Sequence, residues 1–323
     1  MTEITHRFVE TNGLRMHIAE AGAPTAPAVV LCHGFPESWY SWRHQLVALA
    51  DAGFHVIAPD QRGYGQTDAP PAVRDYTQLH LVGDLVGLLD ALGHERAAVV
   101  GHDWGGPVAW SAALLRPDRF HAVVGMSVSW SGHRGSTRPT DAMRAAMNGA
   151  FLYILYFQEE GVAEATMDRD IRGTMRRTLY SLSGDIPRDQ FRFFNPDAKT
   201  IDDVLREPDA LPPWLSAHDL DVFVGEFERK GTFRHGINWY RCIDLNWELT
   251  APFAGLPILQ PALFIGADHD VILGQTREGV AATKKMVPNL REPIWIADCG
   301  HWLQQEEPEQ VNAALIEFLG DVC

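Results

Sequence analysis

The segment VVGHDWGG, residues 99–106, carries an aspartate on a turn flanked by glycines. Two valines lead into Gly101, and Gly105 and Gly106 follow Asp103. Such a run predicts a buried strand, a sharp turn with close backbone approach, and then a helix. Asp103 could serve as a helix N-cap, but a cap alone does not explain glycines on both sides. We therefore interpret Asp103 as a nucleophile.

A carboxylate nucleophile implies a reaction in two steps. Aspartate side chains are ionised at neutral pH, and a helix N-terminus favours their charge, so this nucleophile needs no activating base. It displaces at an sp³ carbon and becomes an ester. Water must then attack the ester carbonyl, and that step needs a general base and hydrogen-bond donors for the oxyanion. The rest of the chain offers candidates for both.

The candidate base is His301, in the segment CGHW of residues 299–302. It follows an apolar run and precedes the last helical pattern, and the chain order of nucleophile, acid and histidine is that of a known triad arrangement. The acid should follow the preceding apolar run, where IGADHDVIL offers both Asp268 and Asp270. The residue pattern does not distinguish these two carboxylates. Either could orient the imidazole.

The candidate oxyanion donors are backbone N–H groups. The segment HGFP, residues 33–36, follows an apolar run, and the N–H of Phe35 could act with that of Trp104, directly after the nucleophile. The alternative interpretation of HGFP is an ordinary turn containing glycine and proline.

Short apolar runs alternate with helical patterns along much of the chain. Each run is unbroken and rich in valine, isoleucine or phenylalanine, which is typical of parallel strands buried on both faces. The predicted strands lie at 27–34, 54–60, 97–103, 120–128, 261–267 and 293–300, and the clearest predicted helices at 80–93, 106–117 and 307–322. This alternation predicts an α/β fold with a mostly parallel sheet flanked by helices.

The alternation stops between about Gly132 and Leu245, where helical patterns continue without a clear buried strand. We interpret residues 132–245 as an inserted helical cap, and residues 1–131 and 246–323 as the α/β core. A cap inserted after a sheet strand would cover the edge at which the candidate residues meet.

Composition limits the classes of partner and compartment. The 323 residues include 42 acidic and 27 basic side chains, for a formal net charge of -15, which argues against nucleic acid as a partner. The four cysteines are not spaced as metal ligands or as a disulfide framework would be, and this predicts a cytoplasmic location. The most apolar segment, residues 151–157, is too short to span a membrane. Phosphate-binding, dinucleotide and zinc-protease motifs are absent from the sequence, so we expect no cofactor and no metal.

With these candidate residues taken together, the chain resembles the epoxide hydrolases of the α/β-hydrolase fold, including the vertebrate soluble enzymes and their mycobacterial relatives. The segments that carry the resemblance are HGFPESWYSWRHQ, DQRGYGQT, GHDWGG, FLYILYFQEEGVAEA, INWYR and DCGHWLQQEEPEQVN. The resemblance implies that two tyrosines hold the epoxide oxygen. They fall on Tyr153, which the residues alone do not distinguish from Tyr156, and on Tyr240. The resemblance also favours Asp270 over Asp268.

The resemblance implies hydrolysis of an epoxide to a vicinal diol. We expect a hydrophobic epoxide and water as substrates, and a monomer or homodimer as the working form. The elbow around Asp103 is shared with haloalkane dehalogenases, which form the first alternative and do not require the tyrosine pair. A catalytically inactive hydrolase fold that only binds a ligand is the second alternative. It is disfavoured because a binding protein does not need a nucleophile, a base, an acid and two phenols together.

Overall fold

The computed structural model describes residues 2–130, 132, 136–191, 195–270 and 277–323. Its centre is a sheet of eight strands in the order β1-β2-β4-β3-β5-β6-β7-β8. The strands are β1 Thr5–Thr11, β2 Leu14–Ala21, β3 Ala28–Cys32, β4 His55–Pro59, β5 Ala97–His102, β6 Phe120–Met126, β7 Ala262–Ala267 and β8 Ile294–Ile296. Strands β3 to β8 pair in parallel, whereas β1 and β2 form an antiparallel hairpin at one side.

The six predicted strands are confirmed as β3 to β8, with ends that coincide or differ by up to four residues. The sequence analysis missed β1 and β2. Their turn is formed by Asn12 and Gly13, both with positive φ, 46° and 76°. An Asn-Gly pair between two alternating segments is a strong hairpin signal, so the sequence did contain the information.

Helices cover both faces of the sheet. Along the chain they are α1 Arg43–Asp51, α2 Gln78–Leu92, α3 Gly105–Leu115, α4 Pro139–Met147, α5 Tyr153–Tyr156, α6 Val162–Met167, α7 Ile171–Ser181, α8 Ala217–Glu228, α9 Arg234–Arg241, α10 Ile243–Leu249, α11 Arg277–Ala282, α12 Leu303–Glu306 and α13 Pro308–Val322. Neighbouring residues of β3 belong to different hydrophobic clusters, Val30 to one and Val29 to the other. The sheet is therefore buried on both faces, as the unbroken apolar runs predict.

Helices α4 to α10 lie between β6 and β7, and we call them the inserted helices. Within the described part of this stretch, the chain forms helices and turns and no strand. The segments that follow β3, β5, β7 and β8 carry four groups of candidate site residues. In that order they are the HGFP segment, Asp103, the pair Asp268 and Asp270, and His301. Because these strands are parallel, their carboxyl ends meet at one edge of the sheet.

Candidate active site

Asp103 lies on a tight turn between β5 and α3. Its φ is +49°, in the left-handed region that residues other than glycine rarely adopt. A Cβ atom on Gly101 would lie 1.9 Å from the carbonyl oxygen of Gly105, and one on Gly105 would lie 2.0 Å from that of Cys32. Both positions therefore require glycine. The turn presents the Asp103 carboxylate, only 7% exposed, at the start of α3, where the helix dipole favours negative charge.

The loop after β3 approaches this carboxylate through its backbone. The N–H of Phe35 donates a hydrogen bond of 2.8 Å to Oδ1 of Asp103. A Cβ atom on Gly34 would lie 2.3 Å from the same oxygen, so glycine is needed there too. Trp104 directly follows Asp103 and is the N-cap residue of α3. The two candidate oxyanion donors thus belong to segments that flank the carboxylate.

His301 is buried between two carboxylates. Its Nδ1 lies 3.0 Å from Oδ2 of Asp270, and its Nε2 lies 3.6 Å from Oδ2 of Asp103. Asp268 instead forms an ion pair with Arg277 at 2.8 Å. Of the two aspartates that the sequence pattern left open, Asp270 is the one that contacts the imidazole.

The two carboxylates control the proton on His301. Burial acts to lower the pKa of His301, but the charges and hydrogen bonds of Asp270 and Asp103 outweigh it and raise the pKa well above its ordinary value. The imidazole is therefore protonated while both carboxylates are charged.

Two buried phenols lie close to Asp103. Tyr153 opens α5 and Tyr240 lies in α9, and their ring centroids are 5.8 Å apart. Burial, followed by the charge of Asp103, raises the pKa of both hydroxyls above that of an ordinary tyrosine. Both phenols are thus protonated and can donate hydrogen bonds. Tyr156 differs, because its hydroxyl bonds to Oγ1 of Thr166 at 2.9 Å.

Two cavities of about 410 and 460 Å³ meet at these residues. Asp103, Tyr153 and Tyr240 line both of them. The remaining walls are largely apolar. The first cavity is also lined by Phe35, Pro36, Phe157, Met167, Thr178, Leu182, Ile201, Leu205 and His301, and the second by Trp104, Pro107, Val128, Met143, Ile154 and Ile243.

Glu37 and His102 form a buried polar pair next to the site that was not predicted from the sequence. Oε2 of Glu37 accepts a hydrogen bond of 2.7 Å from the N–H of Gly34 and lies 2.8 Å from Nδ1 of His102. Nε2 of His102 lies 2.7 Å from the carbonyl oxygen of His301. Burial opposes ionisation of Glu37, but the charge and hydrogen bond of His102 hold its pKa at about 2. A histidine directly before the nucleophile was the available sequence signal.

Within the described ranges, no three histidine, cysteine, aspartate or glutamate side chains are grouped so that they could hold a metal ion. In the same ranges, none of the helices has both the length and the apolar character needed to cross a membrane.

Comparison with known proteins identifies the family. Residues 27–308 match the alpha/beta hydrolase fold family. The chain is 49% identical over 318 residues to Epoxide hydrolase A of Mycobacterium tuberculosis, a match that covers 98% of this chain and 97% of that protein. It is 36% identical over 326 residues to Bifunctional epoxide hydrolase 2 of Sus scrofa, covering 98% of this chain and 55% of that protein.

Solved structures agree with the sequence relatives. The crystal structure of Epoxide Hydrolase A from Mycobacterium thermoresistibile matches with a TM-score of 0.93 and 49% identity, over 99% of both chains. An epoxide hydrolase from an endophytic Streptomyces matches with a TM-score of 0.92 and 43% identity, over 98% of this chain and 95% of that one. The chain therefore belongs to the epoxide hydrolases of the α/β-hydrolase fold.

Proposed function

We propose that this epoxide hydrolase forms a covalent ester on Asp103 and hydrolyses it with water activated by His301. The observation that carries the proposal is the position of Asp103, which lines one cavity together with two tyrosines and with His301, whose Nε2 lies 3.6 Å from the Asp103 carboxylate. The carboxylate thus shares its cavity with candidate proton donors for a leaving oxygen and with a candidate base.

In the first step, an oxygen of Asp103 attacks a ring carbon and the bond between that carbon and the epoxide oxygen breaks. The developing alkoxide takes a proton from Tyr153 or Tyr240, and the other phenol hydrogen-bonds to it. Hydrogen-bond donors aimed at a developing oxyanion stabilise the transition state. The high pKa of both phenols keeps the needed proton in place at neutral pH.

Ester formation also changes the state of His301. Conversion of Asp103 to a neutral ester removes one of the two charges that raise the pKa of the imidazole. His301 therefore gives its proton to the ionised phenol, which becomes a neutral hydroxyl again. The neutral imidazole, oriented by Asp270, then takes a proton from water as the water attacks the ester carbonyl. The N–H groups of Phe35 and Trp104 stabilise the oxyanion. Its collapse expels the diol oxygen as an alkoxide, which takes the hydrogen that the attacking water left on the Asp103 carboxyl. The diol is thereby released, Asp103 is again ionised, and His301 keeps the proton that it took from water, as in the starting state.

The apolar walls of both cavities support a hydrophobic small-molecule epoxide as substrate. We further propose that residues 132–245 form a cap over a core of residues 1–131 and 246–323, and the inserted helices that contribute Tyr153 and Tyr240 support this division. A cytoplasmic location is supported by the four free cysteines. A monomeric or homodimeric state stays a prediction.

The test compares two substrates side by side. The wild-type protein is incubated with styrene oxide and, separately, with a 1-haloalkane, and diol and halide are quantified. We expect diol from styrene oxide without halide release from the haloalkane, because an opening epoxide uses the phenol protons. Halide release without diol would contradict the proposal and favour a dehalogenase.

A further inference from the structure

The side chain of Glu306, the last residue of α12, accepts hydrogen bonds from three backbone N–H groups. Its Oε2 is 2.8 Å from the N of Gly184 and 2.9 Å from that of Gly300, and its Oε1 is 3.0 Å from the N of Trp302. Gly300 and Trp302 are the two neighbours of His301 in the chain. One carboxylate thus binds the backbone on both sides of the candidate base.

The third donor, Gly184, belongs to the inserted helical stretch after α7, so Glu306 joins that stretch to the His301 loop. The two backbones touch directly, since a Cβ atom on Gly300 would lie 2.1 Å from the N of Gly184. Further bonds cross at the same point. The N–H of His301 donates to the carbonyl of Leu182 at 2.9 Å, and the indole of Trp302 donates to that of Leu179 at 2.7 Å.

The three bonds require a carboxylate. Both oxygens of Glu306 are used as acceptors, Oε2 twice and Oε1 once. A glutamine has one acceptor oxygen, and its amide N–H₂ group would face at least one N–H donor. Substitution by glutamine therefore breaks the bond to Trp302 or the bonds to both glycines, without changing the size of the side chain.

We propose that Glu306 is a positioning residue that holds the imidazole of His301 in place for hydrolysis of the Asp103 ester. This inference rests on the proposed function, because it needs His301 to act in the second step. Ester formation uses Asp103 and the tyrosine pair, none of which Glu306 contacts. Loss of the carboxylate should therefore slow ester decay and leave ester formation nearly unchanged.

Rapid-quench mass spectrometry with styrene oxide measures the two steps separately. Burial raises the pKa of Glu306 to about 7, so the assay is run at about pH 8.5, where the carboxylate is ionised. In Glu306→Gln we expect ester decay to slow on the order of tenfold or more, since small misplacements of a reacting group are costly. Ester formation should stay within about twofold of wild type.

The matched control is Glu307→Gln. This neighbouring carboxylate accepts a hydrogen bond from Gln310 rather than from the His301 loop, and both steps should stay at wild-type rates. A second variant, Gly184→Ala, reaches the same contact from the inserted side, because its Cβ would lie 2.7 Å from the N of Gly300. It should also slow decay selectively, and it decides the matter if Glu306→Gln does not fold.

Equal slowing of both steps, or wild-type decay in a folded Glu306→Gln, would overturn this inference alone. Absence of any ester, in wild type as in a His301→Gln variant, would instead overturn the proposed function on which it rests. The two failures are therefore distinguishable in one set of measurements.

Discussion

The proposed first step assigns two phenols to one carboxylate. Tyr153 and Tyr240 come from different inserted helices, yet their ring centroids lie 5.8 Å apart and both residues line the same cavities as Asp103. Burial and the nearby negative charge raise the pKa of both hydroxyls, so neither is ionised before the epoxide arrives. In the proposed mechanism, the charge of Asp103 that attacks the ring carbon thus also helps to retain the proton that the epoxide oxygen needs.

Removing one hydroxyl should slow ring opening. For Tyr153→Phe and for Tyr240→Phe we expect ester formation to fall by about 10²-fold, the lower end of a typical general-acid contribution, because the second phenol remains. Tyr156→Phe is the control, since that hydroxyl bonds to Thr166 outside the two cavities. Rapid-quench assays with styrene oxide give the rates. An equal loss in the control would show that the tyrosines only pack the inserted helices.

The sequence alone singles out some of the candidate site residues and leaves others undecided. Glycine spacing singles out Asp103, and chain order singles out His301. Asp268 and Asp270 cannot be separated by pattern, because what distinguishes them is a partner elsewhere, Arg277 for Asp268 and His301 for Asp270. Tyr153 and Tyr156 present the same problem. Contacts between distant segments are set by the fold and are not encoded in local spacing.

The strand, turn and helix around Asp103 could all be predicted from the local sequence. Strand β5, the turn and α3 all follow from the apolar run and the glycines. The parallel strands were predictable because burial on both faces requires unbroken apolar runs. The hairpin of β1 and β2 was missed, since its strands are partly exposed and its signal lies in the Asn12-Gly13 turn.

Adding a single methyl group at this turn should disrupt it. For Gly105→Ala we expect a loss of about 3 kcal/mol or more in the free energy of unfolding, because the new Cβ would lie 2.0 Å from the carbonyl oxygen of Cys32. Gly225→Ala in α8 is the control. A Cβ there meets nothing within 4 Å, so alanine should be neutral or stabilising by up to about 1 kcal/mol. Similar denaturant midpoints for the two variants would contradict this view of the turn.

At the scale of the whole molecule, the inserted helices contact the rest of the chain. Hydrogen bonds made near the start of helix α8 and just after its end are part of that contact. The hydroxyl of Tyr40 donates to Asp219 at 2.9 Å, and Lys230 donates to the carbonyl of Thr67. Glu226 is buried in the same helix, and burial followed by the charge of Asp60 raises its pKa to about 7. An ionised Glu226 thus disfavours this contact.

The sign of the pH effect follows from linkage. The pKa of Glu226 is 4.5 before folding and about 7 after it, so the folded state binds more protons between these values and this group lowers stability as pH rises from about 4.5 to 7. Glu226→Gln should remove that loss and raise the Tm at about pH 8 by about 2 °C, with a smaller gain at about pH 5. The exposed Glu228→Gln is the control. A gain that is larger at pH 5 would contradict the assignment.

The covalent ester on Asp103 is tested most directly in a protein that can form it but not hydrolyse it. His301→Gln is mixed with styrene oxide, digested and analysed by mass spectrometry, beside a variant that also carries Asp103→Ala. We predict a mass increase of one epoxide molecule on the peptide that contains Asp103, and none in the double variant. Continued diol production by His301→Gln without an adduct, or an adduct on another residue, would contradict the two-step mechanism.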